Sequence, residues 1–313
     1  MSARAPSRLW RLALHPYVLL LATCVMWAGN SIAGRLAAGG VSPMVLTSLR
    51  WTFALAVLLA VARPHLVRDR ALLAAHWPVL AALGVVGFAL FNALLYAALE
   101  RTSAMNVVLI QAGIPAMVFL FSYLFHGTRV RAMQVAGFLV TFMGVALVVA
   151  GSGEGLAIGT GEAIIMVAVV AYAAYTAGLR WRPDVHWLSA LAVMGSAAWV
   201  ASLPMLAWEG WRGNWNWPSD AGEWAVVAYA AIFPAILAQA AYMRGVDRIG
   251  ANRAGMFVNL LPVTGALLAW GLLGEAFGWR EALALVLGVG GIWIAERGAG
   301  RSDVALGEHA AAG

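Results

Sequence analysis

Apolar runs of about twenty residues follow one another along the chain with little between them, each ended by glycine, proline or charge. They fall near 16–37, 43–62, 77–99, 103–125 and 131–150, and again near 158–179, 186–208, 223–243, 251–273 and 280–296. A helix rises about 1.5 Å per residue, so about 20 apolar residues cross the roughly 30 Å of bilayer hydrocarbon. The pattern predicts ten transmembrane helices in an all-α integral membrane protein. The first run, starting near His15, exceeds a signal-peptide core and has no small-residue cleavage site before the next loop, so it reads as a retained helix.

Arginine tests that partition, because the chain has no lysine and alternate connections are rich and poor in arginine. One set holds fifteen: Arg4, Arg8, Arg11, Arg63, Arg68, Arg70, Arg129, Arg131, Arg180, Arg182, Arg244, Arg248, Arg253, Arg297 and Arg301. The other holds only Arg101, Arg212 and Arg280. Positive charge accumulates on the cytoplasmic side, so both termini are expected in the cytoplasm, as an even number of crossings requires.

The halves match at a nearly fixed offset of 147, which pairs Glu100-Arg101 with Asp247-Arg248, Ala104 with Ala251, Pro115 with Pro262, Gln134 with Glu281 and Gly144 with Gly291. Nearer the start an offset of 145 pairs Trp27 with Tyr172 and Arg35 with Arg180. Each unit holds an odd number of spans, five, so the second enters the membrane inverted relative to the first, an arrangement that puts a solute site near the midplane. The expected organisation is a cytoplasmic tail at 1–15, five-helix units at 16–150 and 151–297, and a second cytoplasmic tail at 298–313.

Met26-Trp27-Ala28-Gly29-Asn30, Ser42-Pro43 leading to Leu49-Arg50-Trp51, Pro115 in the fourth span and Gly274-Glu275 closing the ninth stand on these paired units. Together they resemble the EamA group of the drug/metabolite transporter superfamily over roughly residues 16–297, and within it are similar to YddG-type exporters. The fourth span ends His126-Gly127-Thr128 where that family often has Gly-Glu. The resemblance implies a multi-pass protein of the bacterial inner membrane that exports amino acids, aromatic or other neutral ones among them, or related metabolites by alternating access. Rivals within the superfamily are proton-coupled drug carriers and nucleotide-sugar carriers; a receptor or scaffold without transport is the rival of another class.

Polar side chains inside spans turn from lipid toward the protein interior or a water-filled cavity. Asn92 and Gln239 are mates at the 147 offset, with Tyr96 four residues on and Tyr242 three residues on along the same helix faces. They read as cavity lining or as interhelical hydrogen-bond glue. Trp27 and Asn30 lie one turn apart in the first span, and Tyr172, Tyr175 and Thr176 occupy the matching stretch of the sixth, either as solute-facing walls or as core packing. Pro115 leaves the carbonyl of Gln111 without its helical donor, and Pro262 does the same for Val258, next to Asn259. Freed carbonyls bind solute or permit bending; a kink serving packing alone is the other reading. Arg50 lies seven residues past Pro43, deep enough to need a partner, which is either a solute carboxylate or Glu100 or Glu162. Arg35 is placed to snorkel to the outer interface.

With 63% apolar and 11% charged residues and a mean hydropathy of +0.82, the chain has no stretch for a soluble catalytic domain. The absence of lysine excludes a retinal Schiff base. The arginines are scattered over many loops, which argues against nucleic acid as a partner. The single cysteine, Cys24, reads as a small buried hydrophobe. No cluster of His, Asp, Cys or Ser marks an enzyme, and nothing calls for a metal or cofactor. The span interiors show no chain of acids and histidines, so facilitated diffusion or exchange is expected, with coupling through Glu100 or Glu162 as the alternative. The connection with Trp211, Trp215, Trp217 and Trp224 reads as an interfacial anchor or as a lid, and Gly151 to Gly155 as a hinge between units. Gly137 with Thr141 and Ala284 with Gly288 suit close helix packing within one protomer. The partners are thus a small solute and the bilayer; a monomer suffices, and nothing in the sequence sets the oligomeric state.

Cysteines introduced at Ser7 and Asn214 are expected to react with an impermeant reagent from opposite faces of the membrane. Labelling of both in intact cells overturns this topology.

Overall fold

A computed structural model describes residues 15–127, 131–151, 158–249 and 257–298, and every regular element among them is helical. The helices are α1 (Pro16–Ala37), α2 (Pro43–Gly84), α3 (Phe91–Leu99), α4 (Ala104–Gln111), α5 (Ile114–His126), α6 (Ala132–Gly151), α7 (Thr160–Gly178), α8 (Trp187–Trp211), α9 (Ala221–Ile232), α10 (Ala238–Ile249), α11 (Leu261–Leu273) and α12 (Trp279–Gly298). Short π-helical segments, Val85–Leu90 and Phe233–Leu237, join α2 to α3 and α9 to α10. Proline opens α1 and α2 and stands second in α5 and α11, where its missing N–H costs nothing. Gly127 and Gly274 end α5 and α11 with φ of 63° and 64°, a left-handed turn that a residue with a Cβ rarely adopts.

The connection expected as a loop between the second and third spans is helical, so one run extends over the 57 residues Pro43–Leu99. It doubles back on itself. Arg50 hydrogen-bonds Asn92 and Tyr96, and Trp51 stacks on Phe88, although a straight helix would hold residues 50 and 92 roughly 60 Å apart. Pro64 and Pro78 lie between the two arms, at points where the backbone ladder lacks a donor.

Where ten spans are expected, seven helical runs among the described residues are long and apolar enough to cross a membrane. The doubled-back run counts once, α11 is apolar but only 13 residues long, and α12 carries Arg280, Glu281, Glu296 and Arg297 at its ends. The tails and the expected hinge over Ser152 to Gly155 lie outside the described residues.

Packing partners recur in exchanged form. α1 packs on α10 and α11, while α7 packs on α3 and α5; α2 packs along α8, and α6 along α12. The last pair crosses closely: Thr141 Oγ1 donates to the carbonyl of Gly288, Gly137 lies against Gly291, and Gly144 against Ala284. Those contacts map onto one another at the 147 offset. Distant carboxylates cap the amide ends of helices, where backbone donors are unpaired and the dipole is positive. Glu209 accepts from Met44 and Val45 at the start of α2, Glu275 from Ala104 and Met105 at the start of α4, and Asp69 from His186, which caps α8. Arg35, expected to snorkel, instead donates to the carbonyl of Leu99 at 2.8 Å and lies 4.0 Å from Glu275.

A Cβ on Gly291 would meet the Gly137 carbonyl and Thr141 Oγ1, whereas one on Gly290 would meet nothing within 4 Å. Gly291→Val is therefore expected to lower stability by about 1–3 kcal/mol and Gly290→Val to change it little, read as melting temperature in detergent. Equal losses would place the penalty outside this crossing.

Candidate functional site

Asn30 on α1, Arg50 on α2 and Asn92 and Tyr96 on α3 converge on one another in the interior. Each is at most 6% exposed. Arg50 Nη1 donates to Asn30 Oδ1 at 2.8 Å, Asn92 Oδ1 at 2.7 Å and Tyr96 Oη at 2.8 Å. Tyr96 Oη donates in turn to Asn30 Oδ1 at 2.8 Å, Asn30 Nδ2 to Asn92 Oδ1 at 3.3 Å, and Asn92 Nδ2 to the Phe88 carbonyl at 2.7 Å. Every oxygen around the guanidinium is neutral.

Neither carboxylate expected as its partner is there. Glu162, at the start of α7, is held by Thr102 and Asn106, and Glu100 pairs with Arg101. Arg50 Nε is buried without a partner, and Nη2 makes no hydrogen bond among the described residues. Nε and Nη2 form the side-on fork with which a guanidinium grips a carboxylate through two parallel bonds.

Arg50 lines a cavity with about 140 Å³ of room for solvent. Trp27, Asn30, Asn92, Gln111, Tyr172, Gln239 and Asn259 line it with Arg50, together with Pro115 and Pro262. Gln239 makes no hydrogen bond to the described residues. Gln111 Nε2 donates to Ser31 Oγ and to the Val107 carbonyl, and Asn259 Nδ2 to the exposed Glu296. The two prolines sit just past breaks between helices. Gly113 N–H donates to Ile110 and Leu260 N–H to Phe257, equivalent tight turns 147 residues apart, so at each expected kink the backbone tightens for a turn while staying in the right-handed helical region.

Three residues expected at the site stand behind its wall. Tyr96 is 2% exposed and acts by holding Arg50 and Asn30. Tyr175 packs between Phe88 and Tyr172, and Tyr242 against Trp27. The sequence pattern did not single out Trp51, Phe88, Phe91, Leu191 and Ile292, which belong to the apolar wall. Phe88 was legible, lying four residues before Asn92 on the same face. The others required knowing which faces meet.

The π-helical segments end at Leu90 and Leu237, 147 residues apart and two residues before Asn92 and Gln239. An extra residue in a helical turn rotates the face that follows and loosens backbone carbonyls from the ladder. At Pro234 that carbonyl accepts from Trp27 Nε1 at 3.2 Å, fixing the indole at the cavity edge.

A family model described as the EamA-like transporter family matches residues 15–150 and, a second time, residues 159–296. The uncharacterized transporter YyaM of Bacillus subtilis (strain 168) is 26% identical over 286 residues, covering 88% of this chain and 92% of its own. A second uncharacterized transporter of that strain, YetK, is 23% identical over 283 residues, or 89% and 86% of the two chains. Among solved structures, one crystal structure of a protein covers 90% of this chain and 96% of its own with a TM-score of 0.63; at 23% identity that likeness is one of fold.

Both mates, Asn92 and Gln239, line the cavity, but Asn92 is held by hydrogen bonds within the protein and Gln239 has none to the described residues. Asn92→Ala is expected to lower stability by about 0.6–2 kcal/mol, and Gln239→Ala to leave stability unchanged while reducing transport per folded molecule. Melting temperature and flux measured on the same preparations check both; equal behaviour of the two variants overturns the distinction.

Proposed function

The chain belongs to the EamA-like transporter family and is a multi-pass membrane transporter of the drug/metabolite superfamily; from that premise we propose that it carries small carboxylate-bearing metabolites, amino acids and their relatives among them, outward across the bacterial inner membrane. One observation carries the choice of solute: Arg50, buried and lining the cavity, has neutral oxygens on one terminal nitrogen, Nη1, and no hydrogen bond to the described residues on the other, Nη2. A buried charge without a counter-charge is costly, and a buried donor without an acceptor adds to that cost. A solute carboxylate at Nη2 supplies the missing counter-charge. The aromatic wall of Trp27, Phe91 and Tyr172 packs the apolar body, and the free amide of Gln239 orients the rest.

We further propose ten crossings in two inverted five-helix units that rock about this cavity. The exchanged packing pairs, the mirrored crossing of α6 and α12, and the matched π segments and helix breaks support that arrangement. Among the described lining residues no chain of acids and histidines runs through the cavity, which favours facilitated diffusion or exchange.

Purified protein in liposomes, offered a panel of amino acids and organic acids, is expected to take up at least one carboxylate-bearing solute saturably. Arg50→Gln removes the charge and Arg50→Lys keeps it but loses the fork. Losing charge-assisted bonds of about 1.5–3 kcal/mol should weaken apparent affinity roughly 10–150-fold in Arg50→Gln. Wild-type affinity in a stably folded Arg50→Gln protein removes the residue from the site.

A further inference from the structure

Resting on the reading of Arg50 as a carboxylate anchor, we infer that the cavity selects against the zwitterion and carries a net monoanion, an aryl or branched alkyl monocarboxylate without an ammonium group, so that transport is electrogenic. The argument is a count of charges. Among the described lining residues Arg50 is the only ionic side chain, and no Asp, Glu or His shares the cavity with it. The carboxylates nearby are committed elsewhere: Glu209 and Glu275 to helix amides, Glu162 to Thr102 and Asn106. Glu296 reaches a lining residue only through Asn259 and is itself exposed at the end of α12.

An α-ammonium is one carbon removed from the carboxylate, so docking the carboxylate on Arg50 brings the ammonium within roughly 5 Å of the guanidinium. Two like charges at that distance in a poorly solvated site repel. The amide oxygens beside the guanidinium, Asn30 Oδ1 and Asn92 Oδ1, both face Arg50, which leaves an ammonium only neutral acceptors such as the Gln239 amide and no carboxylate among the described lining residues. The Phe88 carbonyl is taken by Asn92. Binding a monoanion leaves the cavity neutral, whereas a zwitterion leaves one uncompensated positive charge in it.

The charge count also sets direction. Each cycle carries one negative charge out of a cell whose interior is negative, so the membrane potential drives export without a coupling ion.

The test uses matched pairs that differ by the ammonium alone, 3-phenylpropionate with L-phenylalanine and 4-methylpentanoate with L-leucine. The wild-type protein and Arg50→Gln are reconstituted near pH 7.5 with valinomycin and potassium gradients, and flux is read above protein-free vesicles. An inside-positive potential of about 100 mV favours accumulation of a monoanion by up to roughly fiftyfold and leaves that of a zwitterion unchanged. Saturable, potential-driven uptake of the monocarboxylates is expected, with each amino acid competing at least tenfold more weakly than its partner. Arg50-dependent carriage of the amino acids as well as or better than the acids overturns the monoanion inference while leaving the carboxylate anchor standing, and potential-independent flux of the acids overturns it too. Flux that does not depend on Arg50, or no flux of any of the four, overturns both readings.

Discussion

A guanidinium removed from water must find other oxygens, and at Arg50 the helices α1 and α3 bring three to a single nitrogen. Much of the site's geometry follows from this. Asn30 and Asn92 must present their amide oxygens inward, which commits their nitrogens to Asn92 and to the Phe88 carbonyl. Tyr96 must stand one turn beyond Asn92 to reach both Arg50 and Asn30. The charge thus draws three helices together at one point, and the stack of Trp51 on Phe88 extends that contact into the apolar core. Because none of the three oxygens is ionised, the network solvates the arginine without neutralising it, and the cavity keeps its positive character.

Drawing helices so close requires that their ends be satisfied and their flanks be small. Carboxylates reach from one part of the chain to the amide end of a helix in another, so the caps of α2, α4 and α8 are also long-range ties. Glycine does the corresponding work along the flanks. α6 and α12 cross where Gly137, Gly144 and Gly291 let backbone meet backbone, in a setting where lipid gives no hydrophobic force for association and van der Waals fit has to supply it. The interior between these ties stays open because both the π segments and the breaks before α5 and α11 interrupt the regular ladder around it.

The helix ends were largely readable in advance, because prolines and glycines have local conformational causes. Pro16 and Pro43 each open a helix and Gly127 and Gly274 each end one, whereas Pro115 and Pro262, expected as kinks inside spans, stand second in helices of their own. The connection at residues 63–76 was misread as a loop since its charges suggested solvent, and charge is equally compatible with a helix at the membrane surface. Most residues singled out for the site do line the cavity, since an amide or arginine inside an apolar span has few other tolerable places to go.

What the sequence determined by itself was therefore the apolar segments that fold as helix and the inventory of polar groups that lipid would reject, because both follow from the periodicity and solvation cost of single segments. Which of those groups bind one another and which stay free was decided only by the tertiary structure. Tyr96 and Tyr242 occupy comparable places after Asn92 and Gln239, yet one holds Arg50 and the other packs on Trp27. Asn92 is bonded on both sides of its amide, while Gln239, its mate in the repeat, is left open to the cavity. The reason is that the position matching Arg50 at the 147 offset is Ala197, which brings no charge to that side. A hydrogen-bond network forms around a charge, and where a charge lies relative to side chains more than forty residues away is a property of how helices pack, which no local pattern encodes.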